Sequence, residues 1–116
     1  MTSISFLGTP QRYGLSERTV ATIHEVLSSY PEVKAAILYG SRALGRHRPG
    51  SDIDLTLVGP DPCCSCLARI DADLDDLLLP WVIDLSCHSA ISNPALLEHI
   101  RRAGQVLYQR ADVQPS

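Results

Sequence analysis

Val33-Lys34-Ala35-Ala36-Ile37-Leu38-Tyr39 runs directly into Gly40-Ser41, and ten residues further on Asp52-Ile53-Asp54-Leu55-Thr56-Leu57-Val58 begins a second apolar run. The first run is nearly all apolar and too short for an ordinary helix, which suits a strand covered on both faces. In the second, aspartates alternate with apolar residues. Side chains alternate across a strand, so Asp52 and Asp54 project from one face about 7 Å apart while Ile53, Leu55 and Leu57 point the other way. Trp81 to Ser86 repeats the pattern, with Asp84 on the face of Val82 and Ser86 and with Trp81, Ile83 and Leu85 opposite. If these strands are neighbours, three carboxylates meet. Two carboxylates about 4 Å apart repel by roughly 4 kcal/mol at an effective dielectric near 20, so such a cluster needs a cation or a proton. Mg2+ suits it, because it takes hard oxygen ligands and keeps places for water and phosphate. The plainer reading of Asp52 is a turn cap after Pro49-Gly50. Asp54 and Asp84 resist that reading, since acids are depleted inside strands and are almost never buried without partners.

Outward from this centre the pattern becomes helical. Val20, Ile23, Leu27 and Tyr30 recur at helical spacing behind Ser16, a candidate N-cap, with Leu15 and Val20 placed as a hydrophobic staple. Asp61 and Pro62 open a second helix carrying the stripe Leu67, Ile70, Leu74 and Leu77. Asn93 and Pro94 open a third, which ends at Ala103 before Gly104. Gln105 to Tyr108 reads as an edge strand. The order is helix, strand, loop, strand, helix, strand, helix, which argues for an α/β (α+β) domain, a small sheet with helices packed on it. Strand direction stays open, because the dozen residues between Gly40 and Ser51 allow an antiparallel return or a tight crossover.

The 116 residues suit one domain, with about 1–14 and 110–116 expected to be flexible. Hydrophobic residues at 45% and charged residues at 20% exclude a disordered or fibrous chain. No apolar stretch approaches the roughly 20 residues of a membrane span, and the start lacks a signal-peptide pattern, so the expected address is cytoplasmic. A net charge of −3 argues against stable nucleic-acid binding. Charge is nevertheless clustered: Arg42, Arg46, His47 and Arg48 in one span, Asp71, Asp73, Asp75 and Asp76 in another. Without a secretory signal, Cys63, Cys64, Cys66 and Cys87 read as free thiols, and the first three lack the two-residue gaps of a zinc site. His24 and His99 read as surface or packed residues, and His47 as the histidine nearest the glycine-serine turn.

Gly40 after a strand permits a sharp turn with exposed backbone N–H groups, and Ser41 adds a hydroxyl; together they can hold phosphate oxygens. Alone, such a turn is ordinary. Its combination with Asp52-x-Asp54 and a later Asp84 resembles the nucleotidyltransferase superfamily that includes DNA polymerase beta, and more closely its minimal stand-alone members. The family mark is Gly-Ser, about ten residues, Asp-x-Asp and a third aspartate on a later strand; Gly40, Ser41, Asp52, Asp54 and Asp84 match it. The resemblance runs from about Val33 to Leu85, with continuation to Tyr108.

The resemblance implies a small mixed sheet and a single minimal transferase domain over residues 1–116. It implies Mg-dependent transfer of a nucleoside monophosphate, AMP from ATP by preference, to a hydroxyl, with two Mg2+ ions held by Asp52, Asp54 and Asp84. Gly40 and Ser41 would hold the β and γ phosphates. Arg42, Arg46 and Arg48 would neutralise triphosphate or acceptor, or else form a solvated loop paired with nearby acids. It further implies an all-helical partner, HEPN-like or substrate-binding, as in pairs where the transferase acts as antitoxin or as the catalytic half of a two-protein enzyme. Asp71 and Asp75, four apart on a helix, offer that partner an acidic surface or form a solvated face. With six aromatics and a thin sheet, a homo-oligomer is also compatible. Two other readings stay open: a binding module that neutralises its partner by contact, and a two-metal nuclease, against which the glycine-serine turn speaks.

Overall fold

The computed structural model describes residues 11–12, 14–48, 50–59 and 66–110. Two short strands, β1 (Gln11–Arg12) and β2 (Leu15–Ser16), form an antiparallel hairpin ahead of α1 (Glu17–Ser28). Then come β3 (Ala35–Tyr39), β4 (Ile53–Val58), α2 (Leu67–Asp75), β5 (Ile83–Cys87), a 3-10 turn (His88–Ala90), α3 (Pro94–Ala103) and β6 (Gln105–Gln109). The hairpin's first strand lies within the stretch 1–14 expected to be flexible, and its second just beyond it. Asp61, Pro62, Cys63 and Cys64, invoked for the start of the second helix and for free thiols, lie outside the described residues.

The main sheet has the order β5-β4-β3-β6. β3 pairs antiparallel with β4 and with β6, while β4 and β5 run parallel, joined by a connection that contains α2. The short Gly40–Ser51 segment therefore returns the chain antiparallel, and the longer one supplies the crossover that a parallel pair requires. The sheet is mixed, as the family resemblance implies.

Alternation assigns the two faces. Ala36, Leu38, Ile53, Leu55 and Leu57 are fully buried in one core with Val20, Ile23 and Leu27 of α1 and Ile70 and Leu74 of α2. Each of these elements exists because its apolar spacing matches that face. Trp81, Ile83 and Leu85 pack against the same core, which turns Asp84 to the opposite side. α3 lies on that opposite side, where a Cβ on Gly104 would touch both Ile37 Cγ2 and the Ile100 carbonyl. Removing the core contacts of Leu55 by truncation to Ala is expected to lower unfolding free energy by about 2–5 kcal/mol in urea denaturation.

The starts of α1 and α3 follow the sequence reading, whereas α2 begins at Leu67 behind Cys66, which makes no side-chain cap bond. Ser16 Oγ accepts from Thr19 N at 3.1 Å, and Asn93 Oδ1 accepts from Ala95 N and Leu96 N at 2.9 and 3.2 Å. Ser16→Ala should cost about 1 kcal/mol, read as a lower urea midpoint with unchanged slope. Cys87 is disulfide-bonded, whereas Cys66 is free and buried. The reading of free thiols holds at Cys66 and is corrected at Cys87: it argued from compartment and spacing, and neither reveals which sulfurs the fold brings together. No described helix is long and apolar enough to cross a membrane.

Candidate active site

Register brings the acids together. Across the β3–β4–β5 ribbon, Tyr39 stands opposite Asp54 and Asp54 opposite Asp84; Ile37 stands opposite Thr56, and Thr56 opposite Ser86. Directly paired residues share a face, so these side chains line the side away from the α1–α2 core. Asp52 lies two residues before Asp54, just outside β4, and is exposed, as is Asp84. Asp54 is half-buried between them. Burial raises its carboxyl above the ordinary carboxylate range, and the charges of Asp84 and Asp52 push it further in the same direction. Burial also raises the Tyr39 phenol, with Asp54 and Asp84 adding to the effect. Beneath the acids Ser86 Oγ donates to Thr56 Oγ1 at 3.0 Å, satisfying a hydroxyl that has no access to water.

Among the described residues no three His, Cys, Asp or Glu side chains close into a ready-made metal cage. The donor set nevertheless fits Mg2+, which binds through one or two carboxylates and completes its octahedron with water and substrate phosphate. A cation there would also relieve the mutual repulsion recorded in the raised Asp54 carboxyl.

Gly40 ends β3 at φ +81°, and a Cβ there would collide with Asp54 Oδ2. Glycine thus serves twice, admitting a left-handed turn and leaving room for the central acid. Its N–H is not offered to a phosphate: it donates to His99 Nε2 at 3.0 Å, a bond that requires that nitrogen to be unprotonated. Ser41 is partly exposed, and among the described residues its hydroxyl has no partner. Its carbonyl and those of Gly40 and Arg42 accept from Arg46, Leu44 and Gly45, rolling the loop into successive turns.

The sequence reading took His47 as the histidine nearest this turn and His99 as a surface or packed residue. The structure reverses the emphasis: His99 on α3 caps the Gly40 amide and meets Tyr39 edge to face, with ring centroids 6.2 Å apart. Truncating it to Ala should leave that amide without its acceptor and cost about 1 kcal/mol in urea denaturation. His24 is packed, bonded to the Leu107 carbonyl and edge-on to Tyr108.

Arg42 is not a solvated loop residue. It is 2% exposed, its Nε and Nη2 donate to the Ser51 carbonyl at 3.3 and 2.8 Å, and its guanidinium carbon lies 5.4 Å from the Trp81 ring centroid. Arg46 and Arg48 are exposed.

Residues 21–113 match the family described as polymerase beta, nucleotidyltransferase. The chain belongs to that family. Solved structures share the fold. One is a toxin–antitoxin crystallised with AMP-PNP, at TM-score 0.60 and 20% identity over 84% of this chain and 76% of that one. Another is the tri-AMPylated Shewanella oneidensis HEPN toxin in complex with MNT antitoxin, at TM-score 0.58 and 18% identity over 81% and 72%. The MntA-HepT toxin–antitoxin scores 0.58 at 18% identity over 82% and 74%. No curated protein matches the chain by sequence.

Proposed function

We propose that this nucleotidyltransferase domain moves a nucleoside monophosphate, AMP from ATP, onto a hydroxyl carried or presented by an all-helical partner protein. The observation that carries the reading is the parallel β4–β5 register, which sets Asp54 beside Asp84 on the face where the Gly40 turn ends. Family membership supplies the reaction class. The neighbours crystallised with AMP-PNP and with an AMPylated HEPN toxin favour ATP and a helical protein acceptor.

Asp52, Asp54 and Asp84 would hold Mg2+, which when bound neutralises phosphate and acceptor oxygens during an in-line displacement. The chain's own groups do the rest. Ser41 Oγ, directly after Gly40, would donate to a β or γ phosphate oxygen and so fix the α phosphorus. The acceptor oxygen then bonds to that phosphorus as the α–β phosphoanhydride breaks and pyrophosphate leaves with the electron pair. Asp84, exposed on the edge strand, is the carboxylate open to an incoming acceptor and takes its proton.

The acceptor protein has an exposed surface to meet. Asp71 and Asp75 stand on α2 beside Trp81 and Val82, and Leu78 and Val82 are 86% and 66% exposed. An apolar patch with an acidic border suits a helix with apolar and basic side chains. The decisive experiment incubates the purified chain, Mg2+ and a candidate helical partner with each α-labelled triphosphate. Label on the partner with release of pyrophosphate, strongest with ATP, is expected. Pyrophosphate release without any labelled protein would refute the acceptor class.

A further inference from the structure

Three segments must meet for the proposed chemistry: the Gly40-Ser41 turn, the Asp52–Asp54 stretch and the start of β5 that leads to Asp84. At this end of the sheet Ile53 N donates to the Val82 carbonyl at 2.9 Å, and the β4–β5 ladder starts with Ile53 beside Ile83 and Asp54 beside Asp84. Among the described residues β5 is an edge strand, with β4 as its one neighbour in the sheet. Arg42 touches all three segments. It follows Ser41 directly in the chain. Two of its nitrogens grip the carbonyl of Ser51, the residue before Asp52, and its guanidinium lies over Trp81, three residues before Asp84. The hairpin loop closes over it, since a Cβ on Gly14 would come within 2.7 Å of Arg42 Nη1 and would collide with the His47 ring.

We propose that Arg42 is a positioning residue: a buried guanidinium that holds the glycine-serine turn, the Asp52–Asp54 segment and the Asp84 strand at fixed spacing, without itself contacting the triphosphate. The chemistry of the side chain explains the choice. A guanidinium is planar, presents a fork of donors to a carbonyl and stacks on an aromatic face, and a lysine ammonium does none of these together. Its charge also lies near Asp52, on the border of the acid cluster, where a fixed internal cation opposes the repulsion among the carboxylates. Burial separates this role from that of Arg46 and Arg48, whose exposed side chains are free to reach a substrate.

The kinetic part rests on the transferase reading above; the structural part does not. Amide hydrogen exchange is measured on wild type, Arg42→Lys, Trp81→Leu and Trp81→Phe. In Arg42→Lys, exchange should quicken at least tenfold both in residues 50–54 and in residues 82–84, with α1 and the centre of β3 unchanged. Trp81→Leu should quicken residues 50–54 in return, and Trp81→Phe, which keeps a ring, should restore most of the protection. Changes confined to residues 41–48 in Arg42→Lys, or no response of residues 50–54 in Trp81→Leu, would overturn the proposal. In labelled-ATP transfer, Arg42→Lys should lower kcat at least tenfold with KM for ATP within threefold of wild type. A tenfold rise in KM with kcat retained would mark Arg42 as a phosphate contact and overturn it equally. Should wild type transfer no nucleotide, the function reading fails while the exchange data still decide the positioning role.

Discussion

Asp54→Asn should lower nucleotide transfer by roughly 10^3-fold or more, about 4 kcal/mol of transition-state stabilisation, while leaving the fold as stable as before or more so. The two halves of this expectation come from one geometry. Asp54 stands between Asp84 and Asp52, and its folded-state carboxyl is raised by burial first and by those two charges next. An acid with a raised folded pKa binds more protons folded than unfolded, so its contribution to stability falls as pH climbs from the unfolded value through the raised one, and stays lost above it. At neutral pH the wild-type chain therefore carries the cost of an ionised, half-buried, repelled carboxylate, and an amide of the same shape removes it. Millimolar Mg2+ should raise the Tm of wild type by mass action, with a smaller rise for the variant. Thermal melts at pH 5 and pH 7 with and without Mg2+, beside a transfer assay, check each part. Transfer within tenfold of wild type would refute the catalytic assignment, and a Tm loss on the scale of a core truncation would refute the electrostatic one. In cells the same variant separates chemistry from contact: lost neutralisation of the partner with the complex intact favours transfer, and unchanged neutralisation favours the binding module.

What the sequence made legible and what it hid divide along locality. The alternation of Asp52, Ile53, Asp54 and Leu55 declares its faces within six residues, because a strand's period is two and the apolar set must be buried. The same holds for Asp84 between Ile83 and Leu85, and for the caps Ser16 and Asn93, whose side chains bond amides two or three residues away. Strand direction was not legible, since it depends on which loop closes which pair and the dozen residues after Gly40 fit either outcome. Nor was Arg42. A basic residue in a polar loop is ordinarily solvated, and nothing local to it announces Trp81, far along the chain, as the surface on which it lies. His99 escaped for the same reason: it is the α3–sheet packing that carries its imidazole to the Gly40 amide. The phosphate role proposed for that turn would consequently fall on Ser41 rather than on the Gly40 N–H, which is already bonded. The patterns that carry the candidate acids are local, whereas the groups packed around them are gathered by tertiary structure alone.

Two glycines with nearly the same backbone angle allow a sharper experiment. Gly40 has φ +81° and Gly45 φ +73°, both in the left-handed region where a Cβ costs about 1–2 kcal/mol. Around Gly45 an added Cβ meets nothing within 4 Å, whereas at Gly40 it runs into Asp54 Oδ2. Gly45→Ala should therefore show the backbone cost alone: about 1 kcal/mol in urea denaturation, with transfer within threefold of wild type. Gly40→Ala adds a displacement of the central carboxylate, which must rotate away from its place beside Asp84. A misplacement of about 1 Å at a reacting centre is worth around 10^2 in rate, so transfer should fall about 100-fold, although the stability of the two variants differs by little more than the energy of that rotation. The displaced acid should also weaken Mg2+ binding in Gly40→Ala and leave it unaltered in Gly45→Ala, as titration calorimetry would read. Equal losses of transfer in the two variants would mean that loop strain rather than the position of Asp54 governs activity, and the dual role assigned to Gly40 would have to be withdrawn.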